Sequence, residues 1–349
     1  MKIRPATEAD KTAWDNYVDQ HPQGLAYHYY AWRQAVEQAY RHNGHYLLAE
    51  TSAGVVGVLP LIDFRIPFKG GSLVSLPFCD VGGVLADNVQ ITNALLDAAA
   101  GLARKLRSRL LDIRFGAPEE LIEERQGQRS AKVRMVLNLP AGSEALLAGF
   151  KAKLRSQVKK PVRDGLTARI GGSELVEDFY KIFCENMRDL GSPVHSKRWI
   201  QTVVAAYGDR AKVSLVYAPD GSPAAGGTIL LQRATVSIPW ASALRRYNRF
   251  NPNMLLYWTL LAFAADNGYT RFDFGRSTPG EGTYRFKAQW GAHPEPLAWQ
   301  TFDTAGRRQP EVASGGPGNL RRQVEALWCR LPLSIANSLG PVVRRRVSL

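Results

Sequence analysis

Two stretches of the chain share one pattern: YLLAETSAGVVGVLPLI at residues 46–62 and VSLVYAPDGSPAAGGTILL at residues 213–231. Each contains two apolar runs separated by a short polar segment, which includes Gly54 in the first stretch and Gly221 in the second. Short apolar runs on either side of a glycine turn predict a β-hairpin. Because the two stretches begin 167 residues apart in a chain of 349, they indicate an internal repeat.

Further matches follow in the same order in both halves. Each half also has an apolar stretch of helical period, at residues 91–106 in the first half and at residues 253–266 in the second. Each half is therefore predicted to run helices, a β-hairpin, a strand, a long helix and a last strand. The matched positions are Trp32 with Trp199, Ser75–Pro77 (SLP) with Ser237–Pro239 (SIP), and Leu111–Gly116 (LDIRFG) with Arg271–Gly275 (RFDFG).

This order of elements predicts an α/β fold with a mixed sheet and a crossover helix. The N-terminus of the crossover helix points at the gap between two strands, where its free N–H groups can bind an anion. In the second half Arg245, Asn251 and Asn253 lie at this point. We expect an asparagine either to cap the helix, with Pro252 in its first turn, or to take part in substrate binding.

The cysteines and the apolar segments of the sequence indicate the cellular compartment. The three cysteines are far apart and form no CxxC pair or metal-ligand spacing, so we expect neither a disulfide framework nor a metal site. The N-terminal residues lack the apolar core of a signal peptide, and no apolar run is long enough to span a membrane. These features predict a cytoplasmic protein.

The net charge of +14 favours polyanionic partners. The candidates are tRNA, a nucleotide-linked donor and an anionic membrane surface; the alternative is a chain that is basic without a specific partner. Two segments concentrate the charge. Residues 151–163 predict a basic helix, in which Arg155 and Lys159 are candidate phosphate contacts or part of a solvated face. The tail after residue 305 predicts a basic amphipathic helix, packed on the second domain or bound to a membrane.

The second half carries chemistry that the first half lacks. Its last strand continues as RFDFGRSTPGEGTYRFKAQWG at residues 271–291, which places Asp273 near the end of a strand, before a Gly/Ser/Pro loop. The loop contains Arg276 and Ser277, and the short helix after it contains Tyr284, Phe286 and Lys287. In the first half Arg114 stands in place of Asp273, and nothing replaces the Phe-Lys pair. One working site and one degenerate copy are predicted.

The segment from Trp240 to Gly291 resembles the FemAB family, and in particular the members that accompany exosortase (PEP-CTERM) and exopolysaccharide systems in Gram-negative bacteria. The resemblance extends over about residues 1–305 and implies tandem GNAT (acyl-CoA N-acyltransferase-like) domains. Family members transfer an aminoacyl group from aminoacyl-tRNA to an amine of a cell-wall precursor, and relatives use acyl-CoA. This chain lacks the coiled-coil arm of some members and the RxxGxG/A loop of CoA-dependent enzymes.

The resemblance implies roles for these residues. Lys287 matches a family position at the reacting carbonyl, where an ammonium would stabilise the developing negative charge. Asp273 would orient the attacking amine or, alternatively, cap the following loop. From their place in the loop, Arg276 and Ser277 are candidates to bind a phosphate or the donor carbonyl, and the alternative is that they hold the loop itself. The remaining candidates are Trp240, Tyr284 and Phe286 for the acceptor pocket and Arg33 for precursor phosphates.

The sequence therefore predicts two GNAT-like domains, at residues 1–145 and 146–305, followed by a basic tail at residues 306–349. The predicted activity is N-acylation of an amine on a cell-envelope or exopolysaccharide precursor, linked to a nucleotide or a lipid. Aminoacyl-tRNA or acyl-CoA is the donor substrate, without a tightly bound cofactor. The alternatives are an acyl-CoA-dependent sugar N-acetyltransferase and a non-catalytic binding module. Peripheral contact with the inner membrane is a further expectation, and the oligomeric state is not predicted.

Overall fold

The computed structural model describes residues 1–66, 70–116, 132–303, 307–309 and 319–348. The helices are α1 (Lys11–Gln20), α2 (Tyr30–Tyr40), α3 (Val89–Lys105), α4 (Ser143–Gly149), α5 (Ala152–Arg163), α6 (Val176–Asp189), α7 (Lys197–Tyr207), α8 (Pro252–Asp266), α9 (Gly282–Ala288), α10 (Asn319–Trp328) and α11 (Leu333–Arg344). The strands are β1 (Lys2–Pro5), β2 (Asn43–Gly44), β3 (Leu47–Thr51), β4 (Gly54–Leu59), β5 (Ile62–Ile66), β6 (Gly70–Val74), β7 (Leu85–Ala86), β8 (Leu110–Gly116), β9 (Val133–Asn138), β10 (Thr167–Gly171), β11 (Ala211–Tyr217), β12 (Pro223–Gln232), β13 (Thr235–Ala243), β14 (Arg271–Ser277), β15 (His293–Asp303) and β16 (Arg308–Gln309).

The repeated pattern forms the same units in both halves. The two matched stretches are antiparallel hairpins, β3–β4 and β11–β12. Gly54 and Gly221 lie at their turns with φ of 128° and 80°, a region that favours glycine. In each half a long helix then connects two parallel strands, α3 between β6 and β8 and α8 between β13 and β14. The predicted mixed α/β arrangement is confirmed.

One sheet runs through both halves. Its order is β10-β11-β12-β13-β14-β9-β15-β8-β6-β5-β2, and a separate sheet has the order β1-β3-β4-β7. Strand β15 joins the halves, because its first residues pair with β9 and its later residues with β8. Strand β9 also pairs with β14, so the boundary predicted at residue 145 follows a strand that already belongs to the sheet of the second half.

The equivalent tryptophans of the two halves touch each other. Trp32 of α2 and Trp199 of α7 are fully buried, and their ring centroids lie 5.3 Å apart at 90°. They belong to a hydrophobic core that includes residues of both halves, whereas two further cores lie one in each half. The halves therefore share buried apolar surface, and the duplication forms one packed unit around these helices.

The basic tail packs against both halves. Leu333 of α11 contacts the shared core, and Gly340 lies so close to Val194 that a side chain there would clash with its backbone. At the end of the chain, the Phe78 N–H donates to the Ser348 carbonyl at 2.7 Å. No helix in the described part of the chain is long and apolar enough to cross a membrane.

Candidate active site

A cleft opens where β13 and β14 separate. These parallel strands pair only at Thr235–Ser237 with Arg271–Asp273. Beyond that point, residues of both strands, among them Trp240 and Phe274, line a cavity of about 390 Å³. In open α/β sheets, the carboxyl ends of parallel strands are where ligands bind. The separation of the two strands therefore produces the candidate site.

Lys287 is held in this cavity by two backbone carbonyls. It lies on α9 and is only 9% exposed, and its Nζ donates to the carbonyls of Gly275 at 3.1 Å and Arg276 at 2.9 Å. Burial disfavours the charged form and lowers the pKa of Lys287 to about 8, although Asp80 and Asp273 oppose the shift. An ammonium has three N–H groups, so one is left for a ligand in the cavity.

Asp80 comes from the first half and completes the loop around Lys287. Its carboxylate accepts from the backbone N–H of Arg276 at 3.0 Å and forms an ion pair with the Arg276 guanidinium at 3.3 Å. Gly275, which precedes Arg276, has φ of 72°, a region that favours glycine. The sequence analysis did not single out Asp80. The available signal was its position shortly after Ser75–Pro77, the segment that matches Ser237–Pro239 of β13.

Aromatic side chains also line the cavity. Trp240 and Tyr257 are among them, together with the imidazole of His195. The Tyr40 hydroxyl is hydrogen-bonded to His195 Nδ1 at 2.7 Å and also accepts from the Ser196 N–H. Burial lowers the pKa of His195 well below its ordinary value, and the ring is neutral near pH 7.

The C-terminal tail also reaches the cavity. Arg344, at the end of α11, lines it, and burial lowers the pKa of this guanidinium to about 10. The lining residues thus include three cations, Arg276, Lys287 and Arg344, and a single carboxylate, Asp80. This surplus of positive charge suits an anionic ligand.

Residues 148–288 match the model of the acetyltransferase (GNAT) domain, a range that includes β13, α8, β14 and Lys287. Among solved structures, the crystal structure of FemX superposes with a TM-score of 0.69 over 85% of this chain and 96% of that chain, at 14% identity. The chain has a tandem GNAT fold of the FemAB-like kind.

Two further structures have the same fold. The C-terminal domain of a putative lysylphosphatidylglycerol synthetase from Agrobacterium fabrum gives a TM-score of 0.57 over 84% of this chain and 91% of that chain, at 12% identity. A tandem GNAT protein from the clavulanic acid biosynthesis pathway gives 0.51 over 87% and 98%, at 13% identity. No curated protein matches the sequence. At these identities the likeness concerns the fold alone.

In the second GNAT half, Asp273 does not line the cavity. Its carboxylate is 2% exposed, accepts from the Gly275 N–H at 2.8 Å and lies 3.6 Å from the Arg134 guanidinium. Burial raises the pKa of Asp273, and Arg134 opposes that rise. Of the two roles predicted for Asp273, this placement favours the one that holds the loop after β14.

Three of the predicted contacts, Trp240, Arg276 and Lys287, line the GNAT cavity together. Ser277 is buried, and its hydroxyl has no partner among the described residues. Phe286 lies outside the cavity and packs against Tyr257, with 5.0 Å between the ring centroids. Tyr284 packs against the core of the second half. These three residues support the wall and do not form its surface.

The other predicted contacts do not line this cavity. Arg33 is bound to Glu37 and to the Ala6 carbonyl, and Arg245 donates to the Asp189 carbonyl at 2.8 Å. Arg155 and Lys159 lie on α5, where Arg155 donates to the Phe150 carbonyl. Asn251 occupies the N-cap position of α8 with φ of 54° but makes no capping side-chain bond, and Asn253 follows in the first turn. Their substrate roles stay predictions.

The corresponding place in the first GNAT half contains a buried arginine. Arg114 is buried where β6 and β8 separate, and its guanidinium donates to the carbonyls of Leu76 and Cys79 at 2.8 and 2.9 Å. These bonds tie β8 to the segment that follows β6. Across the described residues, no group of three or more His, Cys, Asp or Glu side chains could hold a metal ion.

Proposed function

We propose that the chain is an N-acyltransferase of the FemAB type, in which an acceptor amine attacks an activated acyl carbonyl in the cleft between β13 and β14. The observation that carries the proposal is Lys287, a buried cation held by two carbonyls at the edge of a cavity. In acyl transfer the carbonyl oxygen gains negative charge as the carbon–nitrogen bond forms. A fixed N–H donor at that oxygen stabilises the transition state more than the ground state.

The residues around the cleft support the rest of the step. The amine loses a proton as it attacks, the bond from the acyl carbon to the donor's oxygen or sulfur breaks, and the leaving group takes up a proton. Arg276 and Arg344 are fixed cations for anionic parts of the two substrates. Trp240 and Tyr257 offer apolar surface that excludes water from the acyl ester.

For the donor we favour aminoacyl-tRNA over acyl-CoA. Helix α8, whose Tyr257 lines the cleft, follows Arg249-Phe250-Asn251-Pro252-Asn253, in which no glycine allows a pyrophosphate to approach the backbone closely. The net charge of +14 and the exposed Lys151, Lys153 and Lys159 beside α8 suit a polynucleotide. Acyl-CoA is the alternative donor, favoured by the match to the acetyltransferase domain.

For the acceptor we favour an amine on an anionic cell-envelope or exopolysaccharide precursor, linked to a nucleotide or a lipid. The three cations around the cavity support this class, since such a precursor carries phosphates. The resemblance to FemAB-like proteins of exosortase and exopolysaccharide systems makes an amino sugar the first acceptor to test. This proposal places the protein in the cytoplasm, at the inner membrane when the acceptor is lipid-linked.

Native mass spectrometry of the protein with charged tRNA and with acetyl-CoA tests the donor. The expected result is a retained complex with aminoacyl-tRNA and labelled transfer to a nucleotide-linked amino sugar. Retention of acetyl-CoA instead, with transfer, would favour the sugar N-acetyltransferase. Binding of the sugar precursor without transfer from either donor would contradict the enzyme and leave the non-catalytic binding module.

The rate should fall as the pH rises through the pKa of Lys287. The side chain must be protonated to stabilise the oxyanion, and burial lowers its pKa to about 8, so kcat should decrease above pH 8. The measurement is log kcat against pH for wild-type protein and for Lys287→Arg. Arginine stays charged, so the alkaline decrease should vanish in that variant. The same decrease in both proteins would assign it to another group.

A further inference from the structure

The outward face of α11 is apolar. Ile335, Leu339, Val342 and Val343 are spaced to lie on one side of the helix and are 44, 48, 45 and 40% exposed. The neighbouring side of the helix, with Ala336 and Gly340, is buried against the protein. A surface helix usually turns its apolar side inward, so this arrangement leaves a hydrophobic stripe in water.

Other exposed apolar side chains of the tail lie on α10 and after α11. Seven of the eleven large apolar side chains that are exposed in the described residues lie between residues 319 and 348. Besides the four on α11 they are Val324, Leu327 and Val347, which are 51, 64 and 38% exposed. Such a concentration of exposed apolar side chains in one segment is typical of an interaction site.

The tail is also rich in arginine. The described tail, residues 319–348, contains six arginines and one acid, Glu325. At its end, Arg345 and Arg346 line a cavity of about 250 Å³ together with Arg41 and Arg65. Arg65 is paired with Asp63. Among the described residues, the guanidinium groups of Arg41, Arg345 and Arg346 have no hydrogen-bond or ion-pair partner.

We propose that the tail face, defined by the exposed apolar side chains of α10 and α11 and by Arg345 and Arg346, binds the surface of an anionic lipid bilayer. Apolar side chains enter the boundary between headgroups and acyl chains, while the arginines contact lipid phosphates. The positive charge of the tail and of the whole chain favours an anionic bilayer over a second copy of the chain. A second copy would bring two arginine-rich faces and two net charges of +14 together, whereas an anionic bilayer complements them.

Bilayer binding would position the candidate site. Helix α11 exposes its apolar stripe outward, and its last residue, Arg344, lines the cavity that contains Lys287. A lipid-bound α11 therefore keeps the cavity within reach of a lipid-linked acceptor. This consequence depends on the proposed function, but bilayer binding itself does not.

Vesicle co-sedimentation of the full chain tests the proposal without an activity readout. We expect at least about tenfold more binding to phosphatidylcholine vesicles with about one third phosphatidylglycerol than to phosphatidylcholine alone. Leu339→Ser with Val342→Ser should reduce binding about tenfold, and so should Arg345→Glu with Arg346→Glu. The matched controls, Val89→Ser with Val162→Ser and Arg104→Glu with Lys105→Glu, change exposed residues elsewhere and should bind as wild type.

Two results would overturn the proposal. One is an absence of binding to the anionic vesicles, or binding that both tail variants leave unchanged. The other is a concentration-dependent dimer, seen by sedimentation velocity without vesicles and lost in the Leu339→Ser, Val342→Ser variant, which would assign the face to a second copy. Because transfer activity is measured separately with a nucleotide-linked acceptor, failure here leaves the proposed function intact.

Discussion

Replacing Lys287 by Met should slow acyl transfer by about 100-fold in kcat and change KM little. The ammonium is held by the carbonyls of Gly275 and Arg276, so its remaining N–H is already oriented when the oxyanion forms. Methionine fills similar volume and has no donor. Steady-state kinetics with a saturating donor measure the change, and single-turnover experiments separate the chemical step from product release.

The thermal stability of Lys287→Met, in contrast to its activity, should not decrease. Burial lowers the pKa of Lys287 to about 8, so keeping it charged in the folded protein at pH 7 costs free energy that an unfolded lysine does not pay. Lys287→Met should therefore unfold at the same or a higher temperature than wild type. Arg285→Met is the matched control, because Arg285 is an exposed cation on the same short helix. If Lys287→Met retains wild-type kcat, the oxyanion role is wrong.

The duplicated architecture could be predicted because it depends on local patterns. The hairpins follow from apolar runs around Gly54 and Gly221, and the crossover helices from stretches of helical period. These signals lie within short windows of one sequence. The order of strands across β9 and β15 could not be predicted in the same way, since pairing between distant segments leaves no local trace.

The site was predictable only where its residues are close in sequence. Arg276 and Lys287 belong to one segment, and both line the cavity. Asp80, His195 and Arg344 come from the first half, a loop and the tail, and folding brings them to the same cavity across more than fifty residues of chain. Charge pattern alone cannot tell that Arg344 turns inward while its neighbour Arg345 stays exposed.

The contacts of Asp273 indicate a structural role for its carboxylate. Its carboxylate joins the Gly275 N–H to the Arg134 guanidinium, and Gly275 is also the residue whose carbonyl holds Lys287. Arg134 comes from β9, the strand that inserts beside β14. The acid thus connects β9 with the loop after β14, which contacts the catalytic candidate. On this geometry it is a positioning residue.

Asp273→Ala should lower the free energy of unfolding by about 3 kcal/mol, because it leaves the buried Arg134 with Glu295 as its remaining acidic partner. Asp273→Asn should lose less, since an amide oxygen can still accept from the Gly275 N–H. Urea denaturation of both variants measures the loss, and a double-mutant cycle with Arg134→Met isolates the ion pair. Under conditions where Asp273→Asn is folded, kcat should stay within about tenfold of wild type, because the carboxylate does not reach the cavity. A much larger loss of kcat with unchanged stability would instead indicate direct action on the acceptor amine.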